Sequence, residues 1–554
     1  MHAHAARPHA APWKRWSAPA GLACAVFAVY LGTLTPGVAI KLIESVGWFG
    51  GGDSAELQYM APLVGVCHPP GYPFLTLAGK LFTLLPLGSV AWRINLMMPV
   101  FGTLGALALF GALRRITRQD LPALVGAGTL AFSSAYWKHC ITPEAYVFYG
   151  TVLLLGVYAF VRFVETPRTL WLVTAAAALG VCVSNRLSEL LVLPALLALW
   201  IAQRGQAPFR LRQVAIATLA FLAPFAVTLL YFFAREDPRL LHARDDALRD
   251  AILDEEPAFT SLPFGEKLRE AVLYCTAQKW ADEAEFKAKR FWWDADKYAW
   301  LLSGAGAFGE RYPGAQMRVH WPKSLEQGVG VSVGAPALVL ALVGGVLWIG
   351  RWGYVLLGVL LVAGNTCFYF YHTPPDNLDF ILPSVAGYAL LAGLGAAGAP
   401  RRHAAKAAPP ARSGALRRVY QGLCLLAPLF LLAGNYRQLD ESTPATRQQL
   451  AEFSKIATAA FPQRSVILAR YDQANSYRYL LYIEGRRADI SVLIYRARYP
   501  AETLSRLLAH FAAERRTVFL SVEMLRYAPP GQRQIMNRRT PPELRRLGFF
   551  QAAG

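Results

Sequence analysis

Eleven apolar runs, most of them close to bilayer length, dominate this chain of 554 residues. They fall near 18–40, 91–113, 121–137, 145–164, 170–184, 188–203, 212–234, 331–350, 353–372, 378–398 and 417–435. A hydrocarbon core about 30 Å thick takes about 20 such residues as a helix, the form in which a chain satisfies its own backbone polar groups in lipid. Only 17% of residues are charged, against about 25% in soluble domains. The pattern predicts an α-helical polytopic membrane protein.

A twelfth stretch, YPFLTLAGKLFTLLP, is bracketed by Pro73 and Pro86 and carries Lys80 at its middle. Its interior would span only about 18 Å at 1.5 Å per residue. It is expected to lie at the outer interface as an amphipathic or re-entrant helix. The charges agree with that choice. With the N-terminus inside and eleven spans, the inside loops collect Arg114, Arg115 and Arg118; Arg162 and Arg168; Arg204, Arg210 and Arg212; Arg351; and the basic linker from Arg401 to Arg418. The short outside loops hold little beyond Lys138 and Arg186. Counting the twelfth stretch as a span would invert every later loop.

The net charge, 56 − 36 = +20, therefore reads as topology. No nucleic-acid motif accompanies it, so nucleic acid is not expected as a partner. Lys14 and Arg15 precede a first apolar run too long for a signal core, which reads as an uncleaved helix after a cytoplasmic tail, residues 1–17. The tail histidines His2, His4 and His9 are no more than a weak metal suggestion. The seven cysteines show no CxxC or CxxH spacing, so neither zinc nor a redox pair is signalled.

The transmembrane domain, 18–435, thus has outer loops at 41–90 and 235–330. The first piece of 235–330 is polar and helical in pattern, and an aromatic cluster, RFWWDADKYAW, lies near its end. Beyond it, 436–554 forms a second outer unit. RSVILARYD, ADISVLIY and RTVFLSVE read as strands separated by two helical stretches, a β-α-β-α-β pattern expected to make a small parallel α/β domain. It has neither GxGxxG nor a P-loop.

The polar features that this topology places outside are Asp53, Glu56 and His68, followed by Tyr72, in the first outer loop; Glu144; Asn185 and Arg186; and Asp376 and Asp379. Ionisable groups at membrane depth are costly and default to function. Each also has an ordinary reading. Asp53 and Glu56 fit a helix capping box, Glu144 a first helical turn, Arg186 with Glu189 an i,i+3 pair, and TPPDNLD a turn. Together they suit an enzyme fed by a lipid substrate: one carboxylate takes a proton from an acceptor hydroxyl, and an arginine offsets phosphate charge. No ligand cluster demands a metal, though a carboxylate-rich site is compatible with a divalent cation.

DSAEL…GVCHPPGYPF…LFTLLPLGSVAWRINL resembles the first-loop signature of a branch of the GT-C glycosyltransferases that includes transmembrane O-mannosyltransferases of plexin-type receptors. TPEAYVF and DNLDFILPS resemble that branch's later acidic motifs, and residues 464–494 resemble a soluble segment of its bacterial members. SNRLS departs from a histidine-containing pattern at Asn185 and Arg186. The resemblance implies a GT-C fold in the inner membrane and a periplasmic active site. It also implies a polyprenyl-phosphate hexose donor, mannose foremost, and a protein or envelope-glycan hydroxyl acceptor. Asp53 would be the base, with Glu56 its partner. The alternative is a transporter of lipid-linked sugars without chemistry, which would favour matched halves that the sequence lacks.

Overall fold

The structure, a computed structural model, describes residues 16–43, 47–253, 259–275, 332–371, 381–400 and 411–552, the last with short interruptions. Helix α1 (Ser17–Gly32) leads into a hairpin, β1 (Ile40–Ile43) and β2 (Gly47–Gly50). Next come α2 (Asp53–Leu63) and α3 (Pro73–Phe82), then α4 (Val90–Thr117), α5 (Asp120–Phe132), α6 (Ser134–Ile141), α7 (Ala145–Glu165), α8 (Thr169–Val183), α9 (Leu193–Gln203) and α10 (Leu211–Arg235). Outside them lie α11 (Leu241–Leu253) and α12 (Phe264–Cys275). The apolar part resumes with α13 (Ala335–Leu347), α14 (Trp352–Tyr371), α15 (Leu382–Ala397), α16 (Ala411–Cys424) and α17 (Leu426–Leu439).

Each of the eleven apolar runs coincides with an apolar helix. Five of these helices are long and apolar enough to cross a membrane, the longest being Val90–Thr117. The run 121–137 is split: Ser133 is extended and both ends α5 and starts α6. Helix α4 shows how such an element is bounded. The Ser89 hydroxyl caps it by accepting from the Trp92 amide at 3.2 Å, and Arg118 ends it in the left-handed conformation. In the same turn Arg115 and Arg118 reach Glu165 at the end of α7, at 2.7 and 3.0 Å. Helix α15 is buried along its whole length, against α5, α13 and α14. Small residues make this possible: a Cβ on Gly387 would lie 2.6 Å from the Gly358 carbonyl oxygen.

The stretch after Pro73 is the short helix α3, with Leu75, Thr76 and Gly79 buried and Leu77 and Leu81 exposed. Lys80 is accommodated because its ammonium donates to the Pro62 carbonyl at 2.6 Å. The C-terminal unit has β3 (Val466–Ala469), α18 (Tyr471–Arg478) continued by a π-helical turn Tyr479–Glu484, β4 (Ser491–Ile494), α19 (Ala501–Ala513), β5 (Val518–Ser521), α20 (Pro542–Arg546) and β6 (Phe549–Gln551). The strand order is β4-β3-β5-β6, with the first three parallel. The sequence reading missed β6, which pairs antiparallel with β5 and is only three residues long.

Helix α11 covers the β4 edge. Val492 N donates to Asp245 at 3.0 Å, and Arg249 and Arg244 donate to the Ile494 and Ile490 carbonyls at 3.2 and 3.0 Å. An exposed strand edge is a template for unwanted pairing, and here its polar groups are occupied by side chains. The first part of the 235–330 loop therefore seals the C-terminal sheet. The aromatic cluster at 290–300 lies outside the described residues.

Candidate active site

The path into the site begins at two glycines. A side chain on Gly51 would collide with the Ala39 carbonyl, and Gly52 has φ +53°, a region that glycine enters without steric cost. The chain thus turns sharply from β2 into α2, with Asp53 as first helical residue. Gly52 occupies the cap position and no side chain caps the helix, so the capping-box reading of Asp53 and Glu56 is wrong. Glu56 is turned instead toward His68, accepting from its amide at 2.9 Å and lying 2.5 Å from its ring Nδ1.

His68 is held for this contact by the turn that follows. The Gly71 amide donates to the His68 carbonyl at 2.8 Å, and the Pro69–Pro70 peptide is cis. Gly71 and Tyr72 both have positive φ, +96° and +47°. For tyrosine that is an uncommon conformation, the kind over-determined by its surroundings at functional sites. Tyr274 of α12 supports the turn by donating to the Cys67 carbonyl, and the Tyr72 ring lies 5.1 Å from the imidazole.

Burial alone would lower the His68 pKa. Asp53, Glu56 and Glu144 reverse that and carry it up to about 10, so the ring is an imidazolium at neutral pH. Its Nε2 lies 3.6 Å from Asp53 Oδ2. The two carboxylates of the first loop differ in access. The Glu56 side chain is 6% exposed and fully engaged by His68, whereas that of Asp53 is 35% exposed.

A residue that sequence reasoning missed completes the cluster. Tyr471, at the start of α18, donates its hydroxyl to Asp53 Oδ1 at 3.2 Å and lies 3.0 Å from His68 Nδ1. Glu144 caps α7 positionally but not by side-chain bonding; its Oε1 accepts from Ser54 at 2.5 Å, beside Asp53. Arg186 stacks its guanidinium 4.7 Å from the Tyr146 ring and acts electrostatically on Tyr72. Asn185 does not join: its amide is turned into its own chain, donating to Val181 O at 3.1 Å and to Ser184 Oγ at 3.2 Å. Asp376 and Asp379 lie outside the described residues. Among the described residues, no group of three or more His, Cys, Asp or Glu is arranged to hold a metal ion.

Residues 53–208 match the family described as "Protein O-mannosyl-transferase TMEM260 N-terminal domain". The match begins at Asp53 and contains Glu56, His68, Tyr72, Glu144, Asn185 and Arg186. Protein O-mannosyl-transferase TMEM260 of Mus musculus is 40% identical over 116 residues, 21% of this chain and 16% of that protein. Its Dictyostelium discoideum counterpart is 32% identical over 126 residues, 21% of this chain and 15% of that protein. The chain thus spans about a sixth of the length of the curated relatives it matches. Among solved structures, ArnT from Cupriavidus metallidurans bound to undecaprenyl phosphate superimposes with a TM-score of 0.52 and 12% identity, covering 92% of this chain and 94% of that one. This likeness is one of overall fold.

Within this helical frame the cluster has a clear chemical capacity. Asp53 offers a partly exposed carboxylate whose orientation is fixed by a phenol on one oxygen and an imidazolium near the other. A positioned carboxylate of that kind can take a proton from a hydroxyl. Arg186 supplies a permanent positive charge on the same side of the loop, suited to an anionic group.

Proposed function

We propose that this chain is an inverting glycosyltransferase that moves a hexose, with mannose the first candidate, from a polyprenyl-phosphate donor to a hydroxyl acceptor at the outer face of the membrane. The acceptor is a protein Ser/Thr or an envelope glycan or lipid. Asp53 takes the proton of the acceptor hydroxyl, whose oxygen attacks the anomeric carbon. The bond from that carbon to the phosphate oxygen breaks, and polyprenyl phosphate leaves with the electron pair. Glu56 holds His68, and His68 with Tyr471 orients Asp53. Arg186 offsets the phosphate charge, and Glu144 with Tyr72 borders the sugar.

The observation that carries this reading is the contrast between the two first-loop carboxylates: Glu56 is buried and doubly bonded to His68, while Asp53 is positioned yet accessible. The mouse and Dictyostelium relatives named as O-mannosyl-transferases support the reaction class. The undecaprenyl phosphate bound to the ArnT neighbour supports the donor class.

The test is transfer from a radiolabelled polyprenyl-phosphate mannose to a Ser/Thr peptide by the purified protein. Asp53→Asn keeps the oxygen that accepts from Tyr471 and loses no helix cap but gives up the charge beside the His68 imidazolium, so the thermal midpoint should fall by a few degrees in a protein that stays folded. Turnover should fall by roughly 10²–10⁴-fold, the usual worth of a general base. A wild-type rate in Asp53→Asn moves the base elsewhere. Tight donor binding by the wild type, with no transfer to peptide, glycan or lipid acceptors, would favour transport.

A further inference from the structure

One helix of the C-terminal unit reaches the carboxylate cluster, the hairpin behind it and the outer loop beside it. From its start, Tyr471 bonds Asp53 and approaches His68, at 3.2 and 3.0 Å. One turn on, the Ser476 hydroxyl donates to the Ala39 carbonyl at 3.1 Å and accepts from the Gly51 amide at 3.3 Å. It thereby pins the glycine turn that aims Asp53. Further on, Arg478 is held by Asp246 of α11 at 3.0 Å, and the Tyr479 hydroxyl accepts from the Ala91 amide of α4 at 2.7 Å. The π-helical turn lies within this stretch, and such turns occur mostly at functional sites.

The hydrogen bonds can be assigned. Tyr471 has a single hydroxyl proton, which goes to Asp53 Oδ1. The Nδ1–H of His68 then points between Glu56 Oε2 and the Tyr471 oxygen. A chain runs from Glu56 through His68 and Tyr471 to Asp53. It occupies Oδ1 of Asp53 and leaves Oδ2, 3.6 Å from His68 Nε2, as the oxygen for an incoming hydroxyl. The sheet places Tyr471 suitably. The strand order β4-β3-β5 makes β3 the strand at which the chain's connections diverge, and Tyr471 follows its carboxyl end. In open parallel sheets that point is where ligands gather.

We propose that Tyr471 is a positioning residue of the reaction centre: it fixes the basic oxygen of Asp53, so the C-terminal unit is part of the active site and not an accessory to it. This rests on the reading of Asp53 as the base. Among the described residues, the groups of this cluster besides Tyr471 are Glu56 and Ser54 on the helix of Asp53, His68 and Tyr72 on the following turn, and Glu144.

The experiment compares the wild type with Tyr471→Phe, which keeps the ring against His68, using polyprenyl-phosphate mannose and a Ser/Thr peptide. The expected result is a kcat lower by about 10-fold, a donor KM within about twofold, and a thermal midpoint lowered by a few degrees at most. A carboxylate that loses a donor binds protons more readily, so the acid limb of the kcat profile should also move to higher pH. Wild-type kcat and an unmoved profile in the folded variant would overturn the positioning role and leave the proposed reaction standing. Should the wild type transfer no sugar at all, the reading of the reaction fails instead. The positioning contact is then decided by thermal midpoints of Asp53→Ala, Tyr471→Phe and the double variant. Additive losses overturn it, and non-additive losses support it.

Discussion

Replacing His68 with glutamine separates the electrostatics of the cluster from its chemistry. In the folded protein the imidazole, buried beside three carboxylates, is carried up to about 10, from 6.5 in a free histidine. Burial opposes this rise, and Asp53, Glu56 and Glu144 produce it. The folded-state pKa is the higher one, so protonation stabilises the fold. That contribution is complete below about pH 6.5 and is lost as the pH rises through about 10. At 1.36 kcal/mol per unit, it is about 3 kcal/mol at pH 7.5 and about 1 kcal/mol at pH 9.5. His68 is only 14% exposed, so solvent screening removes little of it. The assay is the thermal midpoint in detergent between pH 7 and 10.5. The wild type should exceed His68→Gln by several degrees at pH 7.5, and the two curves should converge above pH 10, where the wild-type ring becomes neutral. Glu56→Gln should narrow the same gap, because it removes the carboxylate 2.5 Å from the ring. It should therefore destabilise more than Asp53→Asn. Wild-type and His68→Gln curves that run parallel across the range would refute the imidazolium and the assignment built on it.

Two further outcomes follow from other contacts. Asp246→Asn strips a carboxylate from Arg478 and Arg249, whose side chains are 1% and 2% exposed, and should cost about 3–5 kcal/mol, read as a lowered midpoint and faster proteolytic release of the C-terminal unit. Arg186→Gln should raise the KM for polyprenyl-phosphate mannose by about 10–100-fold with kcat little changed, the scale of one charge-assisted contact; an unchanged KM would remove Arg186 from the phosphate site.

The helices were legible because apolar runs of this length have one solution in lipid, and each run holds an apolar helix, two of them broken in the middle. The proline-bracketed stretch was legible for the same reason, since Lys80 and ten residues cannot span a bilayer. In the site, Asp53, Glu56, His68 and Tyr72 lie within twenty positions, so one turn with Gly71 behind it brings them together. The capping box was misread because a pattern of Asp, two residues and Glu says nothing about backbone: Gly52 takes the cap position, and the His68 charge claims Glu56. Asn185 was misleading too, since its polarity serves the end of its own helix. Tyr471 is 418 residues from Asp53, and no local period encodes such a contact. Its position just after the central strand of a β-α-β-α-β pattern was the available signal. It went unused because the strand order that marks β3 is a tertiary fact.

The same contacts decide how the C-terminal unit can be studied. Deleting residues 436–554 looks like a clean way to separate acceptor handling from donor binding, but the structure argues otherwise. The deletion would remove the phenol from Asp53 and the hydroxyl that pins Gly51. The Ala91 amide would lose the Tyr479 oxygen. It would also uncover Asp245, fully buried beneath the sheet edge and bonded to Tyr482 and Val492. A short helix stripped of the surface it packs on and of those bonds is marginal by itself, and its loss loosens α11 and the loop it belongs to. Loss of activity in a truncated chain would therefore report a damaged first loop as readily as a missing acceptor site. Tyr471→Phe removes one oxygen and keeps the ring, the sheet and the ion pairs, so its effect on turnover belongs to that hydroxyl's contacts with Asp53 and His68.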